Sequence, residues 1–305
     1  MNTSLFTGVC TALVTPFFEG KVNYPMVEIL LKRQLQAGVK AVVLAGTTGE
    51  APTLSDAEKL ALFRRAKEIV GNDMMIIAGT GSNDTQHAIQ LSVEAEKLGV
   101  DALLVVSPYY NKATANGLIA HYLAIAGAVK IPVILYNVPS RTGLDMPVDV
   151  YRTLSKIPNI VGVKEASTDI TKITKIRSAC GPGFSVWSGN DEMITPVISL
   201  GGKGVISVAS NVVPEETRML TEAALDGDFD TAADLQVRIQ PLLTALFSEV
   251  NPIPAKEAMR LIGCDCGDCR LPLTRLSPEK KQQLAACLER SYLPDFAAEG
   301  RLGPL

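Results

Sequence analysis

The sequence predicts an α/β fold: a (β/α)8 TIM barrel with a C-terminal helical extension. Short apolar runs rich in β-branched residues recur along the chain, and amphipathic stretches lie between them. Strand-like runs that alternate with helical patterns are typical of parallel strands joined by right-handed crossovers. The runs span residues 9–14, 41–44, 74–78, 102–106, 133–136, 160–164, 184–187 and 204–208. Eight such units are the number that closes a barrel.

The first strand also separates the barrel from its main alternative, a doubly wound open sheet. A dinucleotide-binding open sheet usually carries the turn G-x-G-x-x-G after this strand, whereas here the strand runs into Thr15-Pro16-Phe17. Helix boundaries support the repeating units. Ser55 followed by Glu58 predicts a capping box at one helix start. Gly38 and Gly99 are predicted to end two other helices just before the next strand.

The strand signal stops after about residue 227, and helical patterns follow at 231–250, 255–262 and 278–290. We therefore expect two parts, a (β/α)8 catalytic barrel over residues 1–227 and a C-terminal helical domain over residues 228–305. No low-complexity segment or Pro/Gly-rich linker separates them.

Composition excludes several classes of function. The 305 residues carry 29 Lys and Arg against 32 Asp and Glu, a formal net charge of −3, and no run of basic residues occurs. Nucleic-acid binding as the main role is therefore disfavoured. No apolar run approaches the ~18 residues that span a bilayer, and the N-terminus lacks the features of a signal peptide. We expect a cytoplasmic protein without membrane partners, and its six cysteines are too few for a disulfide framework.

Five of the predicted strands end in loops that carry polar, reactive side chains. These loops span residues 46–50, 107–111, 136–143, 164–165 and 188–191. In a (β/α)8 barrel the loops after the strands open onto one rim, and that rim holds the active site. The convergence of these loops predicts an enzyme.

Lys164, at the end of the sixth predicted strand, determines the reaction class that we expect. An ammonium buried at the mouth of an apolar barrel is costly, so desolvation favours the neutral amine. A neutral amine attacks a carbonyl carbon and forms a Schiff base. The alternative is an ordinary strand-end lysine that pairs with an acid such as Glu165 or extends to solvent.

The loops around Lys164 favour the catalytic interpretation. Tyr136 ends the adjacent strand, so its phenol is expected to reach toward the lysine, and Thr48 and Tyr110 lie on other loops where they complete a proton relay. A packed tyrosine with a solvated hydroxyl is the alternative for each tyrosine taken alone. Arg141 offers a planar fork that suits a substrate carboxylate, with an ordinary surface arginine as the alternative.

Six motifs together point to one known family. They are GTTGE at 46–50, YYN at 109–111, YNVPSRTG at 136–143, GVKE at 162–165, GKGVIS at 202–207 and NPIPAK at 251–256. In this order, from about Phe6 to Leu273, the chain resembles the dihydrodipicolinate synthase family of pyruvate-dependent class I aldolases. The resemblance implies a lyase of lysine and diaminopimelate biosynthesis. It also implies no metal and no organic cofactor, because the lysine imine is itself the electron sink.

The resemblance implies two substrates and the residues that bind them. Lys164 would form the imine with pyruvate, whose carboxylate Thr47 and Thr48 would bind. The carbonyl of Ile206 would line the same pocket. Arg141 would hold the carboxylate of the second substrate, L-aspartate 4-semialdehyde, and the product would be 4-hydroxy-tetrahydrodipicolinate.

The same resemblance implies that the working unit is a homo-oligomer. Tyr136, Thr48 and Tyr110 would form the proton relay. In the family, the tyrosine that matches Tyr110 reaches across a dimer interface into the neighbouring subunit's site. A dimer of dimers is the usual assembly, although some members stop at dimers.

Two alternatives of different kinds stay open at this point. Sister aldolases, namely N-acetylneuraminate lyase and the keto-deoxy-sugar acid aldolases, use the same lysine and tyrosine. They generally lack an arginine that matches Arg141, and sialic acid lyase usually has serine in place of Thr47. The other alternative is an inactive barrel that serves as a scaffold, for which loss of Lys164 or Tyr136 would be expected; both are present.

A candidate effector pocket follows from the resemblance as well. Inhibited members bind lysine at a dimer interface, and Asn83 and Tyr109 match two residues of that pocket. Ala51, Lys59 and His87 stand where sensitive bacterial members tend to have Ser, His and Glu. Since the glutamate would pair with the amine of lysine, we expect weak or absent inhibition.

The resemblance does not explain three cysteines within six residues, Cys264, Cys266 and Cys269. Three thiols are able to bind zinc or to cycle as a dithiol. Structural zinc takes four ligands, however, and the two histidines, His87 and His121, lie far away in the sequence. We interpret the segment as a variable loop without a metal.

Overall fold

A computed structural model describes residues 4–291 of the chain, and eight parallel strands form a closed barrel in it. The strands are β1 (Gly8–Ala12), β2 (Ala41–Leu44), β3 (Met75–Gly79), β4 (Ala102–Val106), β5 (Val133–Asn137), β6 (Ile160–Glu165), β7 (Ser185–Ser188) and β8 (Gly204–Ser207). Neighbours in the barrel follow chain order, and β1 closes it by pairing with β8. The predicted fold class is confirmed.

One helix follows each strand and covers the outside of the barrel. The helices are α1 (Tyr24–Gln36), α2 (Asp56–Val70), α3 (Thr85–Lys97), α4 (Ala115–Ala128), α5 (Val148–Leu154), α6 (Thr171–Cys180), α7 (Ile194–Ser199) and α8 (Pro214–Leu225). Shorter helical turns lie in the loops at Ala51–Thr53, Pro139–Thr142, Asp191–Met193 and Ala209–Asn211. A small antiparallel hairpin pairs Phe17–Phe18 with Lys21–Val22.

The predicted capping box and the predicted helix-ending glycines are present in the structure. The Ser55 hydroxyl accepts the N–H of Glu58, and the Glu58 carboxylate accepts the N–H of Ser55 at 2.9 Å, so the capping box at the start of α2 is present. Gly38 and Gly99 adopt φ values of 77° and 78° just after α1 and α3. This left-handed conformation is the one that glycine adopts without a steric cost.

The first strand is shorter than predicted, and a side chain is the reason. The strand pattern extends to residue 14, but β1 ends at Ala12. The N–H of Val14 donates to the Asn211 side-chain carbonyl at 3.0 Å instead of to a neighbouring strand. Asn211 comes from the turn after β8, so this bond ties the first barrel loop to the last one.

Three further helices follow the barrel, namely α9 (Phe229–Leu246), α10 (Ile253–Leu261) and α11 (Pro278–Ser291). Helix α9 begins two residues before the predicted start because the Asp228 carboxylate caps it by accepting the N–H of Thr231. It packs on α7 and α8 and contacts α11. The division at residue 228 falls in the link between α8 and α9 and stays a prediction. Residues 292–305 of the predicted helical domain lie outside the described residues.

The apolar core has two layers. Side chains such as Ile77, Ile134 and Trp187 fill the inside of the barrel, and a second layer lies between strands and helices. Phe6 precedes β1 and stacks on Trp187 with ring centroids 4.7 Å apart, which closes the amino-terminal end of the barrel. The open end is therefore the carboxyl end of the strands. Within residues 4–291, no helix has the length and apolar character that a membrane crossing needs.

Candidate active site

A cavity of about 720 Å³ opens at the carboxyl ends of the strands. Thr47, Tyr136 and Arg141 line one part of it, and Lys59 and His87 line another. The cavity therefore joins the loops after β2, β3, β4 and β5, and it connects Tyr136 and Arg141 to the candidate effector residues.

Lys164 lies near the carboxyl end of β6 and is only 5% exposed. In the barrel register its Cα is opposite that of Tyr136 on the neighbouring strand β5. Its Nζ lies 4.5 Å from the centroid of the Tyr136 ring. The pairing of β5 with β6 is therefore what brings the amine and the phenol together.

The alternative role for Lys164, an ion pair with Glu165, does not occur. Successive residues of a strand point to opposite faces, and the Glu165 carboxylate accepts hydrogen bonds from Asn137 at 2.8 Å and Tyr151 at 3.0 Å. In residues 4–291 no carboxylate lies within ion-pair distance of the Lys164 amine. The ion-pair alternative is therefore wrong, and the role of Lys164 as the nucleophile stays a prediction.

Gly189 packs directly on Lys164, a contact that the sequence analysis did not identify. A Cβ at this position would lie 3.1 Å from both Cγ and Cε of Lys164 and 2.7 Å from the Cβ of Ala166. Glycine is therefore required here for a packing reason. It lets the loop after β7 cover the lysine side chain and shield it from water.

Asp191, in the same loop, shapes the turn after β8. It is 1% exposed, and its Oδ2 accepts the N–H groups of Val208 at 2.9 Å and Ala209 at 3.1 Å. Burial raises the pKa of the Asp191 carboxyl, although hydrogen bonds and the positive charge of Lys164 oppose the rise. These bonds fix the chain just beyond Ile206, which is fully buried in β8 opposite Cys10 of β1.

The loop that follows β2, residues 45–50, is held in an uncommon backbone conformation. Ala45 and Glu50 have φ values of 51° and 57°, which non-glycine residues rarely adopt. In the described chain, the N–H groups of Thr47 and Thr48 donate to no protein acceptor. Adjacent free N–H groups in a tight loop form a concave site for an anion.

Three hydrogen bonds tie this loop to the part of the chain that follows the barrel, and none was evident from the sequence. The Thr48 hydroxyl, which is buried, accepts the side-chain N–H of Asn251 at 2.9 Å. The Glu50 carboxylate accepts the ammonium of Lys256 at 2.7 Å and the backbone N–H of Arg270 at 2.8 Å. Glu50 and Lys256 are both 2% exposed, so this is a fully desolvated ion pair.

Arg141 lies in the helical turn after β5 and lines the cavity. One of its Nη groups donates to the backbone carbonyl of Asn251 at 3.1 Å. In the described residues no carboxylate pairs with the guanidinium.

In residues 4–291 no hydrogen bond joins Tyr110, Thr48 and Tyr136 to one another, and Tyr110 lies farthest out. Its side chain is 92% exposed, and its φ of 71° is strained for an aromatic residue. Hydrogen bonds nearby hold it outward: Asn111 donates to the carbonyl of Asn83 at 2.9 Å, and Asn83 donates to that of Tyr109 at 3.2 Å. The loop therefore presents Tyr110 to the surroundings of the chain.

Comparison with known proteins identifies the relatives of this barrel. The profile of the dihydrodipicolinate synthetase family matches residues 5–291. The chain belongs to this family. A protein of Acetivibrio thermocellus named 4-hydroxy-tetrahydrodipicolinate synthase is 45% identical over 289 residues, which cover 95% of this chain and 98% of that protein. A protein of Thermoanaerobacter pseudethanolicus with the same name is 45% identical over 287 residues, 94% of this chain and 97% of that protein.

Solved structures of the family superimpose closely. Dihydrodipicolinate synthase from Aquifex aeolicus has a TM-score of 0.93 and 42% identity, covering 95% of this chain and 99% of that chain. The Cyanidioschyzon merolae enzyme, solved with lysine bound, has the same TM-score and identity and covers 95% of this chain and 100% of that chain. Family membership confirms the predicted resemblance and the prediction of a lyase with a TIM barrel.

In the candidate effector region, two basic side chains lie beside one carboxylate. His87 Nε2 lies 2.9 Å from the Asp56 carboxylate, and its Nδ1 lies 3.2 Å from the Ser82 hydroxyl. The Lys59 ammonium lies 3.6 Å from the same carboxylate. Two basic groups therefore share one acid at this end of the cavity.

The three clustered cysteines are free thiols. Burial raises the pKa of both Cys266 and Cys269 to about 12, and the negative charge of Glu50 adds to the rise at Cys269. Metal binding and thiol exchange both need the thiolate. Within residues 4–291, no three His, Cys, Asp or Glu side chains are arranged to hold a metal ion. The zinc alternative therefore gains no support, and Cys264 belongs to the segment after α10.

Proposed function

We propose that this chain is a 4-hydroxy-tetrahydrodipicolinate synthase, which condenses pyruvate with L-aspartate 4-semialdehyde through a Schiff base on Lys164. The observation that carries the proposal is the Lys164 amine, which is buried, lies over the Tyr136 ring and has no carboxylate partner in residues 4–291. Relatives with this enzyme name are 45% identical over nearly the whole chain.

The Lys164 amine starts the reaction by attacking the C2 carbonyl carbon of pyruvate. The carbinolamine loses water, and the resulting iminium draws electrons from the methyl carbon, so that carbon releases a proton and becomes an enamine. The enamine carbon attacks the aldehyde of the second substrate. The amine of that substrate then attacks C2, closes the ring and displaces Lys164, which restores the free enzyme.

Tyr136 is the group best placed to carry protons between these steps. Its phenol lies beside the Lys164 amine because the two residues are register partners on β5 and β6. It donates a proton to the leaving hydroxyl of the carbinolamine and then receives the methyl proton as the enamine forms. Thr48 is the next group of this relay.

The loop after β2 binds the pyruvate carboxylate in this proposal. Thr47 and Thr48 offer hydroxyls and two free backbone N–H groups, and oriented N–H groups favour an anion. In this proposal the backbone carbonyl of Ile206 lines the same pocket from β8. Orienting the carboxylate here holds the C2 carbon at the lysine.

A second copy of the chain completes the relay. Tyr110 is exposed and held outward in a strained backbone conformation, an arrangement whose cost is explained if the side chain acts beyond its own chain. We therefore propose a homo-oligomer in which Tyr110 enters the neighbouring site, with a dimer of dimers as the assembly.

The decisive experiment for the proposed function is chemical trapping. The protein is incubated with pyruvate, reduced with sodium borohydride, digested and analysed by peptide mass spectrometry. We expect one reduced adduct, on Lys164. An adduct on another lysine, or none, would reject the assignment, and turnover of N-acetylneuraminate in place of L-aspartate 4-semialdehyde would favour a sister aldolase.

Replacing Arg141 by alanine should affect the second substrate only. A charge-assisted hydrogen bond contributes about 1.5–3 kcal/mol, so kcat/KM for L-aspartate 4-semialdehyde should fall by about 10- to 100-fold. Borohydride trapping of pyruvate should stay unchanged, since Arg141 is not needed for imine formation. Arg141→Lys is the matched control, because lysine keeps the positive charge but lacks the planar guanidinium that bonds both carboxylate oxygens. An equal loss of trapping would contradict this role.

Inhibition by L-lysine should be weak or absent. Lys59 and His87 share the Asp56 carboxylate, so this acid, which lines the cavity near Asn83 and Tyr109, is already paired when the amine of lysine approaches. The variant His87→Glu supplies that acid and should lower the half-inhibitory lysine concentration by about tenfold, the effect of ~1.4 kcal/mol. Half-inhibition of the unmodified enzyme at micromolar lysine would overturn the expectation.

A further inference from the structure

We propose that Asn251 is a positioning residue that fixes the direction of the hydrogen bond at Thr48, and thereby the direction in which the relay passes its proton. Asn251 lies in the link between α9 and α10, outside the barrel strands. This inference rests on the proposed function, because it concerns the relay that serves the Lys164 imine.

The geometry of Asn251 connects two of the candidate site residues. Its side-chain Nδ2 donates to Thr48 Oγ1 at 2.9 Å, across a separation of 203 residues in the chain. Its backbone carbonyl accepts a hydrogen bond from Arg141 at 3.1 Å. Asn251 is only 5% exposed, so water does not replace either contact readily.

The chemistry of the two side chains sets a direction. An amide nitrogen is only a donor, whereas a hydroxyl has one proton and two acceptor lone pairs. When Asn251 donates to Thr48, the hydroxyl proton of Thr48 remains free to donate onward. In residues 4–291 no side chain, that of Tyr136 included, accepts that proton.

In the proposed relay Thr48 donates this proton to the Tyr136 oxygen during the reaction. Donation to that oxygen directs the phenol proton of Tyr136 toward the bound substrate. This is the direction that dehydration of the carbinolamine requires, because a proton must reach the leaving hydroxyl. An acceptor in place of the Asn251 amide would attract the Thr48 proton, so Thr48 would no longer donate to Tyr136.

A second contact nearby holds the Asn251–Thr48 hydrogen bond in place. Lys256, one turn into α10, forms the buried ion pair with Glu50, which lies two residues after Thr48. The start of α10 is thus attached to the loop after β2 at two points, the amide of Asn251 and the ammonium of Lys256. The Asn251 Nδ2 donates to Thr48, whereas its Oδ1 is buried and has no partner in the described chain.

The test compares Asn251→Asp with Asn251→Ala in the full-length enzyme. Aspartate keeps the shape but offers only acceptors, so kcat should fall by about 100-fold, the scale of a lost proton-transfer group. Alanine removes the donor without adding an acceptor, so kcat should fall by only about tenfold. KM for L-aspartate 4-semialdehyde should change little in both variants, because Arg141 bonds to the backbone carbonyl. Wild-type kcat in the aspartate variant, or equal losses in both, would overturn the proposal.

A second measurement keeps the proposal testable if the aspartate variant does not fold. Asn251→Ala is introduced into Thr48→Val, which has no hydroxyl. If Asn251 acts through Thr48, the added change should produce no further loss of kcat; a full tenfold loss would contradict the inference. Borohydride trapping of pyruvate on wild-type Lys164 serves as the reference. Failure of that trapping would reject the proposed function, whereas normal trapping with additive losses would reject the role of Asn251 alone.

Discussion

Alanine in place of Lys164 should lower kcat by about 10⁴-fold or more, the scale of losing an active-site nucleophile. Without the amine no imine forms, so the methyl protons of pyruvate are not acidified and no enamine arises. The steady-state rate with both substrates measures the loss of turnover, and the borohydride adduct measures the loss of imine formation. Both should disappear together.

Lys164→Arg is the matched control for this prediction. Arginine retains a positive charge beside the Tyr136 ring, but its guanidinium stays protonated and forms no imine. The arginine variant should therefore be as inactive as the alanine variant. If arginine restored turnover, charge rather than covalent catalysis would be the role of the lysine. Thermal unfolding of both variants near the wild-type temperature would establish that the loss is chemical.

The barrel and the Lys164–Tyr136 pair were predictable because both depend on local pattern. Apolar runs reveal the strands, and a residue at the end of one strand is a neighbour of the residue at the end of the next. The register of β5 and β6 makes the pair direct opposites. The structure adds that Glu165 turns away from the pair to bond with Tyr151, which strand alternation alone would have indicated.

The supports of the site were not predictable from the sequence, because they join distant segments. Asn251 meets Thr48 across 203 residues, and Lys256 meets Glu50 across 206. No periodicity encodes such contacts. The requirement for glycine at 189 is likewise invisible without the Lys164 side chain that packs against it. The sequence therefore reveals the reactive groups more readily than the residues that position them.

Lys256→Met should produce the largest loss of stability among the substitutions considered, because it leaves the Glu50 carboxylate buried without its cation. Both side chains of this pair are 1–3% exposed. Removing one partner of a buried pair typically costs about 3–5 kcal/mol of unfolding free energy, which corresponds to a decrease of about 10 °C in Tm. Chemical denaturation and calorimetry measure both quantities.

Two controls show whether the loss of stability comes from burial of the ion pair and from the unpaired charge. Lys32→Met breaks the pair with Glu28, in which the lysine is 60% exposed, and should cost no more than about 0.5 kcal/mol. Adding Glu50→Gln to Lys256→Met removes the unpaired charge and should recover at least half of the lost stability, since a neutral buried pair no longer needs a counter-ion. The amide of glutamine retains an oxygen for the N–H of Arg270. If Lys256→Met cost as little as Lys32→Met, the Glu50 pair would not be what holds the loop that carries Thr47 and Thr48.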